Sequence, residues 1–214
     1  MKLKVEILES SKEISVMIAN ALKKQVDQFM AQALTKIKSE LPALLSRAIE
    51  DSPEYTSLLS GELKYEFGIP DSSSKLKGLL DIWTNDVLVN HSPSVISNNG
   101  SLKTSISISM VKSDFSNVLG SSYAFVYDNK RGYTLPWLKW LLLDGTMSIV
   151  PGYEVVIGPN KRSRTGMAVM ANKEGKSWNV PSYYSGSIND NWITRAILSS
   201  GKNIDSLIKK AIEK

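Results

Sequence analysis

From Glu13 onward apolar residues recur every three or four positions: Ile14, Ile18, Leu22, Val26, Phe29, Ala33, Ile37, Leu41 and Leu44. That spacing predicts one long amphipathic helix with these side chains along a single face. Ser10 and Ser11 offer caps and Glu13 falls in the first turn. Pro42 is a place for a kink, and the helix is expected to stop before Asp51-Ser52-Pro53. About thirty residues of helix span roughly 45 Å, longer than a compact small domain needs, so part of it is expected to pack on a neighbour. Ahead of it, Leu3, Val5 and Ile7 alternate with Lys2, Lys4 and Glu6, the pattern of a short strand.

Ser52 then caps a second, short helix with Pro53 at its first position; Gly61 interrupts it and Gly68 to Pro70 ends it. Residues 75–86 form a third helical segment with Leu76, Leu79, Leu80 and Trp83 on one side. After that the period turns to two. Val87–Val89 and Leu102–Met110 flank the turn-rich "SNNGS", and a further hairpin turns at Asp128–Gly132. Pro136 opens a short helix that Gly145 closes. "YEVVIG" and "GMAVMAN" are strands joined by "PNKRSRT", with "SWNVP" as a further edge. Asp190 is the expected cap of a last helix, and "IDSLIKKAIEK" continues helically after Gly201. The fold class is therefore α+β: a long N-terminal amphipathic helix, one antiparallel sheet with inserted short helices, and a C-terminal helix. A single domain over residues 1–214 is expected, with 50–100 as a helical and loop elaboration.

Composition narrows the chemistry. Of 214 residues 42% are hydrophobic, enough for a sizeable core, and none is cysteine, which excludes disulfides, Cys-based zinc sites and thiol nucleophiles. The first residues mix Lys with Glu and lack the apolar run of a signal peptide. The strongly apolar run "WLKWLLLDG" holds only four uninterrupted apolar residues, Trp140 to Leu143, so no membrane span is expected. The chain is expected to be made in a reducing cytoplasm. The net charge of +5 permits contact with a polyanion without requiring it.

Four features invite a chemical reading. Gly175-Lys176-Ser177 ends like a phosphate loop, but Met170 stands where the first glycine belongs and "WNVP" is a poor helix start, so a polar turn between strands is expected. His91, the one histidine, lies in polar "NHSPS" and reads as a solvated loop residue. Glu62, Glu66, Asp71 and Asp81 are scattered as on charged helix faces, so no catalytic residue, cofactor site or metal site is assigned. Lys161, Arg162 and Arg164, in contrast, sit between two apolar strands on a hairpin tip. Solvated turn and contact with phosphates or acidic partner groups are both open readings of that tip. No aromatic residue is interleaved there, so any nucleic-acid contact would be to the backbone. Tyr183 and Tyr184, in the polar loop "VPSYYSGSINDN", are candidate interface anchors.

"LPWLKWLLLDG" (135–145), "YEVVIGPNKRSRTGMAVM" (153–170), "SWNVPSYYSGSINDNWITRAI" (177–197) and "SPEYTSLLSGELKYEFGIPD" (52–71) resemble segments of virion structural proteins of long-tailed bacteriophages, nearest to the neck and tail-completion group. They cover about a third of the chain. The resemblance implies a non-enzymatic subunit without cofactor. It would form a ring, typically a hexamer, where tail meets head, as a tail terminator, head–tail connector or other tail ring. Its implied partners are copies of itself, neighbouring neck and tail proteins, and passing double-stranded DNA met through backbone charge, with no membrane. The implied location is the virion, assembled in the host cytoplasm. A baseplate component and a non-sequence-specific DNA-binding protein are the alternatives.

Overall fold

The computed structural model describes residues 9–110, 115–128 and 132–213. In chain order the elements are α1 (Ser11–Glu50), α2 (Pro53–Ser60), α3 (Glu62–Phe67), α4 (Ser72–Asn85), β1 (Val87–Ile96), β2 (Leu102–Met110), α5 (Ser116–Leu119), β3 (Val126–Asp128), β4 (Tyr133–Leu135), α6 (Trp137–Leu142), β5 (Val150–Ile157), β6 (Ala168–Trp178), α7 (Trp192–Ser199) and α8 (Gly201–Ile212). The fold is α+β, as expected. The strands do not form one sheet: among the described residues they make three separate two-stranded antiparallel ladders, β1–β2, β3–β4 and β5–β6. The strand expected before α1 lies at residues outside those described, as does the middle of the Asp128–Gly132 turn.

Two compact units partition the chain. One comprises Met1–Leu41, Leu88–Ser109 and Asp205–Lys214; the other comprises Pro42–Val87 and Met110–Ile204.

In the first unit, α1 opens on a reciprocal cap. Ser10 Oγ accepts from the Glu13 N–H at 3.3 Å, while the Glu13 carboxylate accepts from the Ser10 N–H at 2.8 Å. The single-face expectation needs correction. Ala33, Ile37 and Leu41 are buried together with Met30 and Ala19, but Ile18 and Leu22 remain 54% and 46% exposed. At 100° per residue, Ile18 lies about 140° round the helix from Leu41, so steps of four carry the stripe off the buried face. The β1–β2 turn packs on α1 at Gly100, whose positive φ of 79° suits glycine and where a Cβ would come within 2.6 Å of Ser15 Cβ.

The second unit holds an aromatic core. α1 runs through Pro42 and stops at Glu50, before Asp51-Ser52-Pro53 as expected, with Leu45 and Ile49 buried along its last turns. Ser52 caps α2 by accepting from the Tyr55 N–H at 3.2 Å, with Pro53 at the first position as expected. Phe67 packs against Trp137 and edge-on to Trp178 at 5.8 Å between centroids, and Trp83 meets Trp192 edge-on at 5.3 Å. The cap of α7 is Asn191 rather than Asp190. Asn191 Oδ1 accepts from the Ile193 and Thr194 N–H groups, and Thr194 Oγ1 accepts from the Asn191 N–H. Asp190 instead pairs with Arg195 at 3.0 Å.

Candidate functional site

The β5–β6 hairpin carries the cationic tip. Its register runs from Ile157↔Ala168 to Tyr153↔Asn172, then jumps to Pro151↔Ser177, so residues 173–176 swell out of β6 opposite Gly152. Gly175-Lys176-Ser177 therefore lies within β6 at this bulge, not in a turn between strands, and the expected "SWNVP" edge is the end of β6, where Trp178 pairs with Val150. A phosphate loop needs a helix directly after it, and none follows here.

The tip itself is tightly bonded. Gly158 N–H donates to Met167 O at 2.7 Å, Asn160 N–H to Gly166 O at 2.8 Å, and Ser163 Oγ accepts from the N–H groups of Thr165 and Ala168. Within it the three cations part company. Arg164 turns back onto its own unit: Nε donates to Gly68 O at 3.1 Å, Nη2 to Phe67 O at 3.3 Å, and Nη1 pairs with Asp128 at 3.3 Å. Those carbonyls end α3, where a guanidinium satisfies groups the helix leaves open and complements its negative end. Lys161 and Arg162 are exposed, and among the described residues their side chains have no ion pair.

Tyr183 and Tyr184 sit in the loop before α7, their rings edge-on with centroids 5.0 Å apart. Tyr183 is 72% exposed and Tyr184 is half-buried against the core. Arg195 organises this region. It donates to buried Glu54 Oε1 at 2.8 Å and to Asp190 Oδ1 at 3.0 Å, and reaches the carbonyls of Tyr184 and Ser185 at 3.4 Å. Burial opposes the guanidinium charge, but its bonds to Glu54 and Asp190 outweigh that and hold the pKa above its ordinary value.

His91 departs from expectation. It lies on β1, not in a solvated loop, with its side chain only 14% exposed. Thr104 Oγ1 gives its proton to Ser92 O at 2.8 Å, so the 2.9 Å contact with His91 Nε2 is a donation from the imidazole N–H. Asp27 Oδ1 stands 3.8 Å from the same nitrogen and accepts the Ser94 N–H at 2.8 Å. Its contacts with Ser94 hold the Asp27 carboxyl below its usual range. Asp27 thus stands between the Ser94 N–H and His91, but the Thr104 hydroxyl and the Asp27 carboxylate both approach the ring at Nε2, and Ser94, 1% exposed, offers its N–H rather than a hydroxyl. A catalytic triad needs the imidazole between nucleophile and acid.

Of the four scattered carboxylates, Glu66 is the unusual one. It is half-buried on α3, and its Oε2 accepts from Trp178 Nε1–H at 3.3 Å. Burial pushes its carboxyl up to about 7, against the indole hydrogen bond, and Glu62 pushes the same way. Asp71 pairs with Lys75 at 3.7 Å, and Asp81 is exposed. Among the described residues no group of three or more His, Asp or Glu side chains is placed to hold a metal ion, and no helix is long and apolar enough to cross a membrane. No family model matches the chain, and no curated protein or solved structure shows significant similarity to it.

Proposed function

We propose that the chain is a structural subunit of a ring in the neck or tail of a long-tailed bacteriophage, at the tail-completion or terminator position, assembling through contacts between copies around the DNA channel. The observation that carries this reading is the β5–β6 hairpin. Its strands have no further strand partner among the described residues, and Val156, Ile157 and Met170 are 46%, 50% and 41% exposed beside a firm cationic tip. Open strand edges and exposed β-branched side chains are what a monomer normally covers or charges. The resemblance of residues 52–71, 135–145, 153–170 and 177–197 to phage neck proteins supplies the particle.

Two measurements test the proposal. Light scattering of the purified chain should give a closed oligomer. Electron microscopy of particles with the subunit gold-labelled should place the label at the head–tail junction. A label at the far tail end moves the role to the baseplate, and an unlabelled particle rejects the structural reading. Lys161 and Arg162, without ion pairs among the described residues, favour one rival, a monomer that binds DNA without sequence preference. A monomer whose DNA affinity falls steeply with salt would establish that rival instead.

A further inference from the structure

We infer that the Tyr183–Tyr184 loop receives the cationic hairpin tip of a second copy of the chain, with Arg162 against the Tyr183 ring and Lys161 toward the Glu54–Asp190–Arg195 cluster. This rests on the ring reading and gives it a specific contact.

The receiving loop is held far more firmly than its exposure would require. Tyr184 and Ser185 N–H both donate to Pro181 O, at 2.8 and 3.0 Å, and Arg195 grips the carbonyls of the same two residues. Gly186 lies so close to α6 that a Cβ would come within 2.6 Å of Leu141 O. A backbone fixed on both sides nevertheless projects Tyr183 into solvent, with Ile188 52% exposed in the same loop and Leu198 78% exposed one turn beyond Arg195. Fixing an aromatic side chain before binding lowers the entropy lost on association, which is how an interface anchor gains affinity.

Charge selects the occupant. Two carboxylates, Glu54 and Asp190, share the single guanidinium of Arg195, so the cluster is acidic in sum, and the Asp190 side chain is 73% exposed. The hairpin tip is its complement. From Val155 to Ala171 there is no acidic residue, and once Arg164 is committed to Gly68 and Asp128, Lys161 and Arg162 remain directed to solvent. A guanidinium over a tyrosine face beside a carboxylate combines cation–π and ionic attraction. Tip and loop are different patches, so their contact is head-to-tail, the type that propagates round a ring.

The test is a photo-crosslink in the assembled chain carrying Tyr183→p-benzoylphenylalanine, mapped by mass spectrometry. The expected product joins position 183 to the 155–171 segment of another copy, and its yield falls about tenfold in Lys161→Glu/Arg162→Glu, with the melting temperature unchanged. Crosslinks to any other segment, or a yield indifferent to those charge reversals, overturn the contact. If the chain assembles but the crosslink maps elsewhere, only this contact fails. If it stays monomeric at all concentrations, the ring reading fails with it.

Discussion

Arg164 reaches back ninety-six residues to Gly68, and its guanidinium occupies the space a side chain on that glycine would need: a Cβ there would lie 2.6 Å from Nη2. Gly68 has φ +63°, so it both ends α3 in the left-handed conformation and seats the arginine. Arg164→Ala should therefore cost about 1–3 kcal/mol through the lost charge-assisted bonds to Phe67 O, Gly68 O and Asp128. Gly68→Ala should cost about 1–2 kcal/mol from the backbone conformation and the displaced guanidinium. Lys161→Ala and Arg162→Ala should stay within about 0.5 kcal/mol of the parent. Urea unfolding of the four variants checks this. Equal losses at 161, 162 and 164 would mean that the three cations share one role.

Glu66 predicts an inverted pH dependence. Burial pushes its carboxyl up to about 7 in the folded state, above the 4.5 of an ordinary glutamate. The folded state therefore holds the proton more tightly than the unfolded one. The stabilisation is complete below pH 4.5 and is lost as pH rises through 7. Because the group is only partly buried, the expected loss is on the order of 1–2 kcal/mol between pH 5 and 8. Glu66→Gln should flatten this slope while keeping an acceptor for Trp178 Nε1–H. Thermal melts at both pH values check it, and an unchanged slope in the variant would assign the effect to another group.

Local signals were legible in the sequence because they act over a few residues. Ser52-Pro53 announces α2, and two apolar runs around "PNKRSRT" announce the hairpin and its cationic tip. What escaped depends on partners distant in sequence. Arg164 looked equivalent to Lys161 and Arg162 because Gly68 and Asp128 lie 96 and 36 residues away. His91 looked solvated because Thr104 and Asp27 belong to other elements. Division of the strands into three ladders is likewise a matter of which strand finds which, and alternation reports only that one face is covered. The Asn191 cap could have been found: Asn191 with Thr194 three positions on is a capping pattern, shifted one residue from Asp190.

Gly78 lies mid-helix in α4, where glycine is costly, and the reason is the Tyr123 ring. A Cβ at 78 would come within 2.3 Å of that ring. Gly78→Ala should therefore destabilise by about 1–3 kcal/mol despite the better helix propensity of alanine. Tyr123→Leu should recover part of the loss in the double variant, so the two effects should be non-additive in chemical denaturation. Additive losses would show that the ring is not what keeps position 78 bare.

Ser52 carries three bonds with one hydroxyl. Its Oγ accepts from the Tyr55 N–H at 3.2 Å and from Trp192 Nε1–H at 2.7 Å, and donates to Ile49 O at 2.6 Å. It thereby ties the end of α1, the start of α2 and the start of α7 at one buried point. Ser52→Ala removes the cap of α2 and leaves the fully buried Trp192 indole N–H without an acceptor, an expected loss of about 2–4 kcal/mol. Ser52→Thr keeps the hydroxyl and should lose less, limited by the room for one methyl group. Trp192 emission should report the same event, since its indole loses a hydrogen bond without gaining solvent. A Ser52→Ala protein as stable as the parent would mean that another acceptor, or an admitted water, takes over the Trp192 N–H.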